Sequence, residues 1–182
     1  DEEVINYFTK IVEQINDCKI ILYNFEKLCG YKFSVDCVEN LAARFPKNII
    51  GVKDSSYNLM GNLKIRNFSI LPGSELKLLS GLKKDCSGII TATCNVTAKL
   101  ARKVFDDFEQ NKDQTVNEKL CEVRKAFDQF NLISGLHSFL SLTDKQFLNI
   151  LPTCSLLNKH DEKILMDKLK DLDFLGKDFK AA

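Results

Sequence analysis

The sequence is poor in the residues from which metal sites are commonly built. It contains only two histidines, His137 and His160, and none of its seven cysteines forms a CxxC pair. Because structural zinc sites draw their ligands from closely spaced cysteines and histidines, we expect no metal site. We expect the thiols to be reduced and mostly buried, as is usual in a cytoplasmic protein.

Long apolar runs and an excess of one charge are also missing. No apolar run approaches the ~20 residues that a helix needs to cross a bilayer, so a membrane-spanning helix is not expected. With 26 basic and 25 acidic side chains, the formal net charge is +1. This balance gives no reason to expect nucleic acid or an anionic membrane as a partner. The apolar fraction of 45% and the charged fraction of 28% are typical of a soluble globular protein.

The chain lacks an initiator methionine and opens on Asp1, Glu2 and Glu3, which is unlike a signal peptide. We therefore expect a chain that begins inside a longer protein or that has been processed.

Strands and helices alternate through the first half of the sequence. Apolar runs predict four strands, at residues 19–23, 49–53, 69–72 and 88–91. Helical periodicity predicts helices at residues 4–15, 36–44, 59–65 and 76–82, and from residue 95 onward only helices, around 100–108, 120–127, 135–151 and 161–172. Because the strands are apolar on both faces, we expect a parallel sheet covered by helices.

The predicted first strand is not followed by a phosphate-binding glycine motif. Neither GxGxxG nor GxxxxGK[ST] occurs there, so a dinucleotide site or a P-loop is not expected. An eight-stranded barrel needs roughly 250 residues, so if the fold is a barrel, about half of it is missing from the chain.

Lys53 is the most informative residue, because it closes an apolar strand and is followed by the hydroxyls of Ser55 and Ser56. Desolvation at a buried strand end disfavours the charged form of the amine and makes it a usable nucleophile toward carbonyl carbon. The preceding strand leads into Tyr23 in the same way. Two neighbouring strands would bring a phenol and an amine to one edge of the sheet, which indicates a Schiff-base enzyme.

Four short motifs follow one another along the chain. They are Tyr23-Asn24 ahead of Gly30, Gly51-Val52-Lys53-Asp54-Ser55-Ser56, Gly73-Ser74-Glu75 and Gly88-Ile89-Ile90-Thr91-Ala92-Thr93-Cys94-Asn95. In order and spacing they resemble the second half of the dihydrodipicolinate synthase / N-acetylneuraminate lyase family of class I pyruvate aldolases. The resemblance covers nearly the whole chain.

This resemblance implies an α/β fold, the C-terminal half of a TIM (β/α)8 barrel with four parallel strands and their helices, followed by an all-helical C-terminal extension. The half-barrel would occupy residues 1–110 and the extension residues 111–175, with a frayed tail at 176–182. The active site would lie at the C-terminal ends of the strands.

The resemblance also implies a mechanism. Lys53 would form an imine with pyruvate or another 2-keto acid, and the imine would act as an electron sink for an enamine. Tyr23 would shuttle protons and orient the substrate. The implied substrate-binding residues are Ser55, Gly73, Glu75 and Ile90. The implied partners are pyruvate and an aldehyde or 2-keto sugar acid, bound by a homo-oligomer that needs no metal and no cofactor beyond its own lysine.

Departures from the family pattern bear on the substrate. In the synthase branch an arginine five residues after the tyrosine holds the carboxylate of the aldehyde, but this chain has Leu28 there. Glu26 replaces a proline in the same turn. Ala92, where sialic-acid lyases tend to carry serine, favours an aldolase for 2-keto-3-deoxy sugar acids. N-acetylneuraminate lyase and a divergent dihydrodipicolinate synthase are the alternatives within the class.

A structural interpretation stands beside each functional one. Lys53 could be a solvent-exposed lysine at a strand end and Tyr23 a core phenol with one hydrogen bond. Ser55 could be a turn residue and Glu75 a helix cap. The family's carboxylate-binding loop and a second tyrosine belong to the first four strands, which this chain does not contain. A non-catalytic half-barrel fragment or assembly unit is therefore the alternative of another class.

Overall fold

The computed structural model describes residues 1–15 and 17–175, which form an α/β chain. The tail at 176–182, expected to be frayed, lies outside the described residues. In chain order the elements are α1 (Glu2–Gln14), β1 (Ile20–Asn24), α2 (Glu26–Cys29), α3 (Val35–Arg44), β2 (Ile49–Asp54), β3 (Ser69–Pro72), a 3-10 helix (Glu75–Lys77), α4 (Leu78–Leu82), α5 (Cys94–Glu109), α6 (Asn117–Phe127), α7 (Leu132–Leu140), a second 3-10 helix (Lys145–Leu148) and α8 (Lys159–Asp171).

The strands form one parallel sheet in the order β1-β2-β3. In its register Tyr23 lies opposite Lys53 and Asn24 opposite Asp54. Strand β3 pairs with β2 in the same direction, so all three strands end at one edge of the sheet. The strands predicted at 19–23, 49–53 and 69–72 are confirmed, with their bounds shifted by no more than a residue.

The two faces of the sheet differ in exposure. Leu22, Val52 and Ile70 lie on one face and are 1%, 0% and 7% exposed, within a core that α1 and α3 cover. Ile21 and Tyr23 alternate onto the opposite face, where they are 42% and 37% exposed. The expectation of two buried faces therefore holds for only one face of β1.

The predicted fourth strand at 88–91 is wrong, since within the part of the chain that the structure describes the sheet has three strands. The segment does run beside β3, because Ser87 and Ile90 donate their N–H groups to β3 carbonyl oxygens at 2.9 and 3.1 Å. These donors are three residues apart, whereas a regular parallel ladder advances by two. Gly88, with φ of 137°, takes up the extra residue and breaks the ladder.

The predicted helix at 59–65 is also wrong, because this segment forms turns. The carboxylate of Asp54 accepts the N–H groups of Tyr57, Leu59 and Met60 at 2.8, 3.0 and 2.9 Å. Tyr57 adopts a φ of 59°, outside helical geometry. A buried acceptor at the end of β2 therefore overrides the local helical pattern.

The described chain divides into two compact units, one formed by residues 1–73 and 80–90 and the other by residues 74–79 and 91–175. The helices α5 to α8 belong to the second unit. Its core includes Phe127, Phe139 and Phe174, which are 0%, 2% and 0% exposed. Ring centroids of successive members of this trio lie 5.7 and 5.9 Å apart. The helical pattern predicted at 135–151 is α7 followed by the second 3-10 helix.

No helix within residues 1–15 and 17–175 is both long enough and apolar enough to cross a membrane.

Strands β2 and β3 approach each other closely at Gly51, and a substitution there tests this close approach. A Cβ added there would lie 2.7 Å from the carbonyl oxygen of Ser69, a backbone atom that cannot rotate away. We expect Gly51→Ala to lower the free energy of unfolding by about 1–3 kcal/mol. Chemical denaturation followed by circular dichroism measures this change.

The matched control is Gly135→Ala in α7, where the nearest atom to the added Cβ is a Phe127 ring carbon at 3.4 Å, an ordinary contact. Because alanine favours a helix more than glycine does, this variant should be unchanged or more stable by up to about 1 kcal/mol. Equal losses in the two variants would contradict the steric explanation.

Candidate active site

Tyr23 and Lys53 lie side by side at the C-terminal ends of β1 and β2. They are paired in the sheet register, and Lys53 Nζ lies 4.3 Å from the centroid of the Tyr23 ring. A cation–π contact of this kind stabilises by about 0.5–2 kcal/mol, depending on desolvation. The Phe25 ring also packs against the Tyr23 ring, with the two ring centroids 5.8 Å apart and the planes tilted by 44°. The structure thus brings together the phenol and the amine that the sequence singles out, with the amine only partly buried.

The next residue on each strand, Asn24 and Asp54, is fully buried. Asp54 Oδ1 accepts hydrogen bonds from Asn24 Nδ2 and from the Tyr57 N–H, both at 2.8 Å. Its Oδ2 accepts from the N–H groups of Leu59 and Met60 at 3.0 and 2.9 Å. Four neutral donors therefore stabilise this carboxylate at the end of β2.

Asn24 extends the same network toward the loop that follows β1. Its Nδ2 also donates to Asn58 Oδ1 at 2.8 Å, and its Oδ1 accepts from the Phe33 N–H at 3.0 Å. Asn58 Nδ2 completes the ring by donating to the Phe33 carbonyl at 2.9 Å. Asn24 belongs to one of the four sequence motifs but is given no role there, and Asn58 lies outside all four. The available signal is a polar residue directly after a buried apolar run, a position where an unpaired polar group would be costly.

Ser55 and Gly73, both predicted to bind substrate, are in contact. A Cβ added at Gly73 would overlap the Ser55 hydroxyl and lie 2.9 Å from its Cβ, so only glycine leaves room for this serine. Backbone hydrogen bonds join the ends of neighbouring strands beside Ser55 and Gly73. The Ser55 N–H donates to the Asn24 carbonyl at 2.9 Å, and the Gly73 N–H to the Asp54 carbonyl at 3.2 Å.

Ile90, another predicted substrate contact, follows the irregular segment beside β3. Its side chain is 39% exposed and its N–H is bonded to the Pro72 carbonyl at 3.1 Å. Tyr23, Lys53, Ser55, Gly73 and Ile90 all belong to the first unit.

Glu75 belongs to the second unit and is fully buried. Its Oε1 accepts from Thr97 Oγ1 at 2.8 Å, and its Oε2 accepts from Thr91 Oγ1 and Arg124 Nη1, each at 3.0 Å. The N-cap of the first 3-10 helix is Ser74, so the carboxylate of Glu75 is not a cap. It instead joins the start of that helix to α5 and α6.

Arg124 supplies the cation of this cluster, with a side chain only 13% exposed. Its Nη1 also donates to Thr91 Oγ1 at 2.7 Å, and its Nε donates to Asp128 at 2.8 Å. Burial by itself would lower the pKa of Arg124, but the carboxylates of Glu75 and Asp128 outweigh burial and raise it. Sequence reasoning missed this residue, because an arginine in an amphipathic helix ordinarily lies on the solvated face.

Two thiols are kept protonated by their surroundings. Burial, reinforced by the charge of Asp54, raises the pKa of Cys86 to about 11. Burial, reinforced by Glu75, raises the pKa of Cys94 to about 11 as well. At neutral pH neither thiol is therefore a nucleophile. In the described ranges, no group of three or more histidine, cysteine, aspartate or glutamate side chains is arranged to hold a metal ion.

The chain is similar to a set of known proteins. The sequence profile of the Dihydrodipicolinate synthetase family matches residues 1–171. An uncharacterized DapA-like lyase of Chloroflexus aurantiacus is 27% identical over 146 residues, which are 77% of this chain and 49% of that protein. A 4-hydroxy-tetrahydrodipicolinate synthase of Acaryochloris marina is 28% identical over 133 residues, 69% of this chain and 45% of that protein.

A solved structure matches the fold. YagE, a prophage protein of the dihydrodipicolinic acid synthase family from E. coli K12 in complex with pyruvate, superposes with a TM-score of 0.78 at 19% identity. The match covers 95% of this chain and 62% of that chain. Its α/β fold is therefore also the fold of this chain, which spans about half the length of the curated relatives it matches.

The Glu75–Arg124 pair leads to a stability prediction. Arg124→Ala leaves a buried carboxylate without its cation, which typically costs about 3–5 kcal/mol. The control is Arg102→Ala, which removes an exposed ion pair with Asp106 and should leave the free energy of unfolding nearly unchanged, because solvent screens that pair. Urea denaturation of both variants provides the comparison, and similar losses would contradict a structural role for the buried pair.

The thiols lead to a prediction about pH. Because Cys86 and Cys94 titrate only near pH 11, iodoacetamide at pH 8 should leave both unmodified in the folded protein while it labels the exposed Cys29. Raising the pH toward 11 should bring the two protected thiols into reaction. Peptide mapping by mass spectrometry identifies the labelled residues. Modification of Cys86 or Cys94 at pH 8 as fast as that of Cys29 would contradict the raised pKa values of the two thiols.

Proposed function

This chain belongs to the dihydrodipicolinate synthetase family, and on that premise we propose that the protein is a class I aldolase or lyase that joins pyruvate to an aldehyde or cleaves their adduct. The observation that carries the proposal is the register pair Tyr23–Lys53, with the amine 4.3 Å from the centre of the phenol ring. An amine and a proton-transfer group at one edge of a parallel sheet are what Schiff-base chemistry requires.

We infer that the sheet is part of a (β/α)8 barrel and that this chain supplies the C-terminal half. Three observations support the inference: the parallel order β1-β2-β3, the segment of Ser87 and Ile90 that continues along β3, and the exposed face of β1 that carries Tyr23. In a closed barrel that exposed face would point inward, and the reactive pair would lie at the mouth.

In the proposed reaction, the Lys53 amine attacks the keto carbon of pyruvate. Water leaves, and an iminium ion remains joined to the lysine. Loss of a proton from the adjacent methyl carbon gives an enamine, because the iminium nitrogen accepts the electron pair. The enamine then attacks the carbonyl carbon of the aldehyde to form the carbon–carbon bond, and the aldehyde oxygen takes up a proton to become a hydroxyl. Hydrolysis of the new iminium ion by water releases the product and restores the amine. In the cleavage direction the same steps run in reverse.

Tyr23 is the proposed proton carrier. The amine rests over the face of its ring, so Tyr23 is the ionisable side chain that the structure places against the amine that would form the imine. General acid–base catalysis by a positioned side chain contributes roughly 10²–10⁴-fold to the rate. Nothing beyond the lysine and the phenol is needed to move electrons or protons in these steps, which fits a mechanism without a separate cofactor.

Ser55, Gly73 and Ile90 are the proposed substrate contacts of the first unit. Ser55 is a partly buried serine two residues after the proposed reactive lysine, and Gly73 keeps the space beside its hydroxyl open. For Glu75 we propose an indirect contribution to binding, since its carboxylate already bonds two threonines and an arginine. Through Thr91 it would hold the chain that follows Ile90.

The proposed aldehyde is a hydroxylated one without a carboxylate, so that the product is a 2-keto-3-deoxy sugar acid. Leu28, at the position where synthases carry a carboxylate-binding arginine, is 72% exposed and offers no charge. That YagE was solved with pyruvate supports pyruvate as the common first substrate. N-acetylneuraminate lyase and a divergent dihydrodipicolinate synthase would share the imine and differ only in the aldehyde. A homo-oligomer is the assembly proposed for the whole protein.

Borohydride trapping tests the proposal. The experiment uses the protein isolated as its own organism produces it. Incubation with pyruvate and borohydride should attach one reduced pyruvate to the peptide that contains Lys53, as read by intact mass and peptide mapping. Lys53→Arg should abolish the adduct, because a guanidinium forms no such imine. The control Lys64→Arg, at an exposed lysine outside the pair, should leave trapping unchanged.

A second arm follows pyruvate consumption with glyceraldehyde and with aspartate semialdehyde. Faster turnover of glyceraldehyde is expected, and preference for the semialdehyde would favour the synthase alternative. Absence of an adduct in the native protein would overturn the proposal. A non-catalytic assembly unit would then remain as the interpretation of the exposed sheet face.

A further inference from the structure

Each member of the reactive pair is followed by a buried polar residue that is itself paired across the same two strands. Tyr23 lies opposite Lys53, and in the next register position Asn24 lies opposite Asp54. Successive side chains of a strand point to opposite faces, so the second pair lies directly behind the first. The amide and the carboxylate of this second pair are joined at 2.8 Å.

Burial of the Asn24–Asp54 pair carries a desolvation cost, so the pair is a poor way to stabilise the fold. Asn24 and Asp54 are both 0% exposed, and the four donors to the carboxylate are neutral. An ionised carboxylate without a counter-ion loses hydration that neutral donors only partly replace. An apolar pair of similar size would continue the core of Leu22 and Val52 on the same face. This cost indicates that the pair does more than add net stability.

The network of the second pair reaches both loops that surround the reactive pair. Through Asn58 and the Phe33 backbone, Asn24 holds the loop that follows β1. Through three backbone N–H groups, Asp54 holds the turn that follows β2. The Asn24 carbonyl also accepts the N–H of Ser55 at 2.9 Å. Each strand end therefore has its direction fixed within one residue of Tyr23 or Lys53.

We propose that Asn24 and Asp54 are positioning residues for the imine-forming step. By fixing the ends of β1 and β2, they hold the Lys53 amine where it can attack the keto carbon of bound pyruvate, and they hold the Tyr23 phenol beside it. The inference rests on the proposed function, because only an imine-forming Lys53 needs such positioning. A misplacement of about 1 Å in a reacting group can cost roughly 100-fold in rate.

The test measures the rate of pyruvate trapping by borohydride at saturating pyruvate, per mole of folded protein. Asp54→Asn keeps the shape but places an NH₂ group against backbone donors. We expect the trapping rate of the folded fraction to fall by about 10- to 100-fold. Asn58→Ala, a milder change at the partly buried end of the network, should lower the rate by a smaller factor and guards against failure of Asp54→Asn to fold.

The control is Val104→Ala, which truncates a fully buried side chain of α5 in the second unit. It should lower the melting temperature without changing the trapping rate of the folded protein. If Asp54→Asn and Asn58→Ala also lower only the melting temperature, the network is merely structural and the inference is overturned while the proposed function stands. If the unmodified protein forms no adduct, the proposed function fails first and the inference fails with it.

Discussion

The parallel pairing of β1 with β2 is the constraint on which the rest of the first unit depends. It sets Tyr23 against Lys53 on one face and Asn24 against Asp54 on the other. A shift of one residue would exchange the two faces, burying the amine and exposing the carboxylate. The buried hydrogen bond between Asn24 and Asp54 opposes such a shift, since any other register leaves polar groups unpaired in the core. The Tyr23–Lys53 pair and the Asn24–Asp54 pair are thus fixed by the same ladder.

The second unit also contains a buried polar contact that joins separate elements of the chain. There a full ion pair, Glu75 with Arg124, is buried together with threonine hydroxyls. The carboxylate stands on the first 3-10 helix and the guanidinium on α6, so the pair joins elements far apart in the chain. Pairs of this kind add little net stability over an apolar contact but become costly once one partner is removed. The fully buried carboxylate of the first unit, Asp54, is held by neutral donors, whereas Glu75 in the second unit is held by two threonines and an arginine.

Much of this arrangement could be predicted from the sequence, because apolar runs and helical periodicity identify β1, β2, β3 and the helices of the second unit. The failures have local physical causes. Gly88 breaks the ladder of the expected fourth strand, and the Asp54 carboxylate replaces the expected helix at 59–65 with turns. The pairing of Glu75 with Arg124 could not be predicted, because 49 residues separate them and no local pattern connects the two. The catalytic roles of Lys53 and Tyr23 stay predictions, as do the substrate-binding roles of Ser55, Gly73, Glu75 and Ile90.

The most direct measurement of the central claim is a crystal structure of the protein soaked in pyruvate. We expect continuous electron density from Lys53 Nζ to the keto carbon of pyruvate, with the amine displaced from its resting place over the Tyr23 ring and the phenol oxygen within hydrogen-bonding distance of the adduct. Asn24 and Asp54 should keep their contacts unchanged. Pyruvate bound away from Lys53, or joined to another lysine, would contradict the account.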